Sequence, residues 1–164
     1  MLDPSECFTA PISAAKTLTL VQPRTRFEHQ CLTVMSEGSP FAVCLDDRMG
    51  LGPFRAFQCD TNVAWKGLHI PEVRIELDET SLRDADRFGA PRGSMVRRDD
   101  KLAILVNLED QFHASEATLT ILEGLPMCAP QESAHFVKWQ VVLGEGQEKR
   151  VLLKVDVTPK TQSI

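Results

Sequence analysis

The chain has 164 residues, of which 43% are hydrophobic and 25% charged, and these values are typical of one globular domain. Lys and Arg total 18 against 23 Asp and Glu, giving a net charge of −5. Bulk nucleic-acid binding needs an excess of basic residues that neutralise phosphates, so the charge argues against that function. No apolar run approaches the roughly 18 residues of a membrane helix, and we expect no membrane association.

The amino-terminal residues, Met1–Cys7, contain two acids and lack the cationic start and apolar centre of a signal peptide. We therefore expect a cytoplasmic protein. The five cysteines include no C-x-x-C pair, and free thiols are expected, with Cys31 and Cys44 buried in apolar runs. We expect a loosely ordered segment over 1–12, one β-rich domain over 13–159 and a loosely ordered tail over 160–164.

Apolar and polar residues alternate along most of the chain, which predicts strands rather than helices. Leu102–Val106 is apolar at every position and predicts a central strand covered on both faces. Further strands are predicted over residues 16–21, 27–35, 41–46, 73–78 and 117–122, and near Phe57 or Trp65.

Two hairpins are indicated. Residues 135–143 and 149–157 both alternate, with Val151, Leu153, Val155 and Val157 on one face of the second strand, and turn-forming Gly144–Gln147 lies between them. The polar segment Arg97–Lys101 predicts a second turn, between a strand near Met95 and the central strand.

Helical signals are short. Thr80 or Ser81 is a suitable amino-terminal cap for a helix over 80–87, and residues 13–15 are a weaker candidate. The predicted fold is therefore mostly β: a single-domain antiparallel sandwich or barrel with at most one or two short helices.

An arginine-rich segment over residues 89–98 gives the clearest candidate site, because it combines glycines, a serine and arginines without an acid. Guanidinium groups bind phosphate or carboxylate in a bidentate manner. The predicted ligand-binding residues for an anion are Arg92, Gly93, Ser94, Arg97 and Arg98. The alternative is a solvated loop whose arginines pair with Asp99, Asp100 or the acids of residues 72–86.

No motif for catalysis or metal binding is found. The histidines lack the spacing of metal-binding motifs, and neither a phosphate-binding glycine loop nor a nucleophile elbow occurs. The sequence therefore assigns no metal, no cofactor and no catalytic residue.

We predict a non-catalytic binding or interaction module with a small anionic ligand, an acidic partner or a second copy of the chain as its partner. A homodimer is expected because apolar strands leave surface to cover. One alternative is a structural subunit of a larger assembly. The other is a small β-barrel enzyme or cofactor-binding protein, whose site would be assembled from dispersed residues: His29, His69, His113, His135 and Cys128.

Overall fold

A computed structural model describes residues 7–11, 18–24, 29–36, 38–47, 52–59, 66–84, 90–98, 101–109, 114–120 and 134–160. Strands dominate these ranges: β1 (Phe8–Pro11), β2 (Thr19–Pro23), β3 (Cys31–Ser36), β4 (Ser39–Cys44), β5 (Arg55–Gln58), β6 (Lys66–Ile70), β7 (Arg74–Leu77), β8 (Leu82–Arg83), β9 (Met95–Arg98), β10 (Lys101–Glu109), β11 (Ala114–Thr120), β12 (His135–Phe136), β13 (Lys138–Leu143) and β14 (Arg150–Asp156). The helices of these ranges are two short 3-10 turns, Glu79–Ser81 and Gly146–Glu148.

The strands form two open sheets. The large sheet has the order β1-β6-β2-β3-β4-β5-β10-β9-β12-β8, with β11 on the remaining side of β10, and the small sheet has the order β14-β13-β7. Neighbouring strands are antiparallel except β5 and β10, which pair in parallel through Asn107 and Leu108. The predicted mostly β fold is confirmed, and two open sheets make it sandwich-like rather than a closed barrel.

The main hydrophobic core joins the two sheets. Leu20, Leu32 and Ile104 of the large sheet cluster with Trp139 and Val141 of the small sheet, all almost fully buried. A second, smaller cluster on the other face of the large sheet contains Val21, Cys31, Ala42, Cys44 and Cys59. The predicted burial of Cys31 and Cys44 is confirmed, as is the two-sided burial of Leu102–Val106.

The strand predicted over 135–143 is two strands in different sheets. His135 and Phe136 pair with β9 and β8 of the large sheet, whereas Lys138 onward pairs with β7 and β14. Val137 lies at the corner, where its N–H donates to Ser81 O at 3.4 Å and its carbonyl accepts from Val157 at 2.8 Å. One residue therefore connects the two sheets.

The helix predicted over 80–87 is wrong for its described part. Asp78 accepts a hydrogen bond from Thr80 N at 3.0 Å, which caps a single 3-10 turn. Leu82 and Arg83 then extend to form β8, because their backbone pairs with β12. The second predicted helix, over 13–15, lies outside the described residues.

Both predicted hairpins are present, with one change of register. Leu153 lies opposite Val141 but Val151 lies opposite Val142, so Leu152 is the extra residue of a β-bulge. The bulge turns Val151 outward, and it is 44% exposed rather than aligned with Leu153 and Val155.

At the amino end, Phe8–Pro11 forms β1, which pairs with β6. No helix among the described residues is long and apolar enough to cross a membrane.

Candidate functional site

The predicted anion-binding segment begins with a tight turn that is fastened to the core. Ser94 N donates to Pro91 O at 3.1 Å, and Gly93 takes a φ of +87°, which the turn requires. Gly93 N donates to Leu105 O at 2.7 Å, and Trp139 Nε1 donates to Gly93 O at 2.7 Å. Gly93 and Ser94 are both buried, so the turn packs into the protein rather than standing in solvent.

The arginines of this segment bond to different parts of the protein. Arg92 Nε donates to Asn107 Oδ1 at 2.6 Å, and partial burial lowers the pKa of Arg92. Arg97 donates to both carboxylate oxygens of Glu79, at 2.6 and 3.1 Å, and lies 5.0 Å from the ring centre of Phe136. The bond to Glu79 raises the pKa of Arg97.

Arg92 and Arg97 bond towards opposite faces of the large sheet. Arg97 lies opposite Leu102, on the side of the main core, whereas Asn107, the partner of Arg92, lies on the other face of β10. The structure therefore does not bring these two guanidinium groups together. Arg98 lies opposite Lys101, and its side chain is outside the described part of the chain. The anion site stays a prediction.

The dispersed histidines proposed for an enzyme site lie in separate environments. His29 Nδ1 is 2.6 Å from Asp46 Oδ1, whereas His135 is buried on β12. Among the described residues, no three His, Cys, Asp or Glu side chains form a group that could hold a metal ion. His113 and Cys128 lie outside the described residues, so the enzyme alternative stays a prediction.

His69 is a buried residue of the sheet. Its Nε2 lies 3.2 Å from Ala10 O and its ring stacks on Phe8, with centres 5.2 Å apart. Burial lowers the pKa of His69, which keeps the ring neutral at neutral pH. These contacts fasten β1 to β6.

A pair of facing thiols was not identified from the sequence. Cys31 and Cys44 lie directly opposite each other on β3 and β4, with 3.6 Å between the sulfur atoms. The hydrogen bond to Cys44, followed by burial, raises the pKa of the Cys31 thiol well above its ordinary value. A buried thiol with a raised pKa is a poor nucleophile, and Cys31 packs beside Cys44 in the smaller core cluster.

The open edge of β14 is the strongest candidate for a binding site. β14 pairs with β13 on one side, and no strand of the described ranges pairs with its other side. Val157 N donates to Val137 O at 2.8 Å, and the same register continues through Val155. Backbone groups alternate in direction along a strand, so the N–H and C=O of Lys154 and Asp156 point away from β13.

The side chains of β14 are apolar for an edge strand. Val151 is exposed, while Leu152, Leu153 and Val155 are half-buried and pack only partly against the core. Unpaired backbone groups beside apolar side chains are a template for pairing with another strand.

A groove of about 430 Å³ runs along the small sheet next to this edge, and its lining includes Leu77, Trp139 and Val155 beside polar residues. Its charged and polar lining carries both signs and comprises Glu76, Asp78, Lys138, Gln140, Lys154 and Asp156. Gln140 donates to Glu76 at 2.9 Å, and Lys138 lies 3.3 Å from Asp156. Hydrogen bonds from Thr158, with Lys138 close by, lower the pKa of Asp156, so it is ionised at neutral pH.

The chain is similar to proteins of one family. A family model described as "Uncharacterised protein y4lG" matches residues 9–163. A relative from Sinorhizobium fredii (strain NBRC 101917 / NGR234), called "Uncharacterized protein y4lG", is 40% identical over 152 residues, which cover 93% of this chain and 91% of the relative. No solved structure matches the chain.

Proposed function

The chain belongs to the y4lG family, and we propose that it is a non-catalytic interaction module that binds a partner strand along the open edge of β14. The observation that carries the proposal is the outward direction of the backbone N–H and C=O groups of Lys154 and Asp156. An added strand satisfies these groups with backbone hydrogen bonds and needs no reacting side chain.

The surroundings of the edge support strand addition. Leu153, Val155 and Val157 are half-buried on the core side, so a partner strand would cover their exposed parts. Lys154 and Asp156 alternate with them on the solvent side. Backbone bonds would supply affinity, and this alternation of apolar and charged positions would select the partner's sequence.

The test uses proline, which removes one backbone donor. Lys154→Pro deletes an N–H that points away from β13, and proline is tolerated on edge strands in that orientation. Lys154→Ala is the matched control, because it removes the same side chain and keeps the N–H. A displayed library of random short peptides, selected on the full chain, provides the probe.

Selected peptides are expected to bind the wild-type chain and Lys154→Ala but not Lys154→Pro, with the melting temperatures of both variants close to the wild-type value. Peptides that bind Lys154→Pro as well as wild type would place the binding site elsewhere and overturn the proposal. Failure to select any peptide would also count against it.

Anion binding near Arg92 is a second proposal, supported by one contact. Asn107 accepts from Arg92 and lies opposite Arg55 on the same face of the sheet, where Arg55 also bonds to Glu109. Calorimetric titration with inorganic phosphate is expected to show binding to the wild type and to Arg97→Gln, and none to Arg92→Gln. Equal affinity for the wild type and Arg92→Gln would refute the site.

A further inference from the structure

We propose that the strand added to β14 is β14 of a second copy, antiparallel to the first, with a two-fold axis at Val155. This inference rests on the proposed function, since it names the partner of the same edge. The juxtaposition that carries it is Lys154 and Asp156, two exposed, oppositely charged residues on either side of Val155.

Backbone geometry limits the registers available to a symmetric pair. Antiparallel strands bond through residues whose N–H and C=O both point towards the partner. On the outer side of β14 these are Lys154 and Asp156, because Leu153, Val155 and Val157 direct their groups to β13. The bulge at Leu152 interrupts the ladder on one side, and on the other Asp156 Oδ1 accepts from Thr158 N at 2.9 Å. The usable stretch is therefore residues 153–157.

Charge then selects one register. A two-fold axis at Lys154 places this lysine opposite its own copy, and an axis at Asp156 places two aspartates opposite each other. Like charges directly opposite are destabilising. An axis at Val155 instead places Lys154 of each copy opposite Asp156 of the other, so two opposite-charge pairs flank the axis.

The same register also matches the apolar positions. Val155 meets its own copy at the axis, and Leu153 meets Val157 of the second copy, all on the core side of the strand. A lysine in the middle of an edge strand discourages pairing with an arbitrary strand. In the proposed register Asp156 of the second copy lies opposite this lysine and neutralises its charge. The edge therefore favours pairing with its own sequence over other strands.

The resulting dimer joins two small sheets into one continuous sheet and places the two grooves beside β14 next to each other. Its contact is small, because only residues 153–157 of each copy pair. Interfaces well below about 1,200 Å² are weak or transient. We therefore expect a dissociation constant in the micromolar range or above.

Sedimentation velocity over a range of protein concentrations tests the inference with charge reversals. Lys154→Asp puts two aspartates opposite each other twice, and Asp156→Lys does the same with lysines. Each single variant is expected to raise the dissociation constant about tenfold or more. An equimolar mixture of the two variants restores opposite charges at both pairs and is expected to associate as the wild type does. The double variant Lys154→Asp, Asp156→Lys is expected to self-associate again.

The outcomes separate this inference from the proposed function. A wild-type chain that stays monomeric throughout, while selected peptides still bind in a manner blocked by Lys154→Pro, overturns the second copy as partner and leaves strand addition intact. A wild-type dimer that persists in Lys154→Pro and in both charge reversals uses another surface and overturns the second copy as the partner of β14, while peptide binding still decides strand addition. If the single variants are monomeric and their equimolar mixture is monomeric too, the register with the two-fold axis at Val155 is overturned.

Folding of the variants is checked by thermal unfolding. Asp156→Lys also removes the contact with Lys138, so Lys154→Asp, which leaves that contact in place, is decisive if the former fails to fold. Asp156→Asn is expected to weaken association less than Asp156→Lys, because it removes an attraction without adding a repulsion.

Discussion

The Pro91–Ser94 turn of the large sheet and the β14 edge of the small sheet use polar groups in opposite ways. In the turn, Gly93 bonds through its carbonyl to Trp139 and through its N–H to Leu105. In β14, Lys154 and Asp156 direct their backbone groups away from the sheet. The backbone groups of Gly93 are bonded inside the fold, whereas no strand of the described ranges bonds to the outer backbone groups of Lys154 and Asp156.

A cluster of charged residues in the sequence need not form a surface that is open to a partner. The arginine-rich segment has more charge, yet Arg92 and Arg97 hold partners within the fold. Substitutions in the turn should therefore reduce stability and leave association unchanged. Substitutions at the β14 edge should do the reverse.

The largest expected effect is at Gly93. Its φ is +87°, and an added Cβ would lie 2.4 Å from the ring of Phe54. Gly93→Ala is expected to lower the free energy of unfolding by about 3 kcal/mol. Gly52 is the matched control, because it has the same φ of +87° but a Cβ added there would meet nothing within 4 Å, and Gly52→Ala should cost only about 1 kcal/mol. Equal losses in urea denaturation would contradict the packing argument.

Trp139→Phe should have the next largest effect. It keeps an aromatic ring in the core but removes the donor to Gly93 O, leaving a buried carbonyl with one bond fewer. A loss of about 1–2 kcal/mol is expected in urea denaturation. An unchanged free energy of unfolding would show that the ring, and not its N–H, holds the turn.

Acidification should weaken the large sheet through His69. Burial lowers the pKa of His69 below the ordinary value of 6.5, so the unfolded chain binds the proton more readily than the folded chain. Its contribution to stability is complete above pH 6.5 and is lost as the pH falls from there towards the folded-state pKa. The melting temperature of wild type should therefore fall more steeply over this window than that of His69→Gln. Parallel curves would exclude His69 as the cause.

The smallest expected effects separate the two arginines. Arg97→Gln breaks an exposed, solvent-screened ion pair with Glu79 and should change the free energy of unfolding very little. Arg92→Gln loses a bond to Asn107 at a half-buried position and should cost about 1 kcal/mol. Chemical denaturation measures the free energy of unfolding of both variants. A larger loss for Arg97→Gln than for Arg92→Gln would contradict this prediction.

The strands and hairpins were predictable because alternation of polarity records which face of a strand is buried. The change of sheet at Val137 was not predictable. Val137, Trp139 and Val141 occupy alternate positions, and this pattern is the same whether the strand stays in one sheet or passes into another. Only the hydrogen-bond partners change there. The bulge was hidden for a related reason: Val151, Leu152 and Leu153 are all apolar, so the pattern does not show which of them is extra.

The candidate site was less predictable because it depends on strand register and on pairing between strands that are far apart in the sequence. The sequence places Arg92 and Arg97 close together, but Arg97 pairs opposite Leu102 of β10 whereas Arg92 bonds to Asn107, whose side chain lies on the other face of β10. The hairpin of β13 and β14 was predicted, yet which side of it stays open is decided by β7, whose sequence lies far from it.

The strand order of the small sheet also bears on biosynthesis. β7 leaves the ribosome long before β13, its neighbour in the sheet, and β14 follows as the last described strand. The small sheet therefore cannot form until nearly all of these strands have been made. The β14 edge is therefore completed only after all the other described strands have been made.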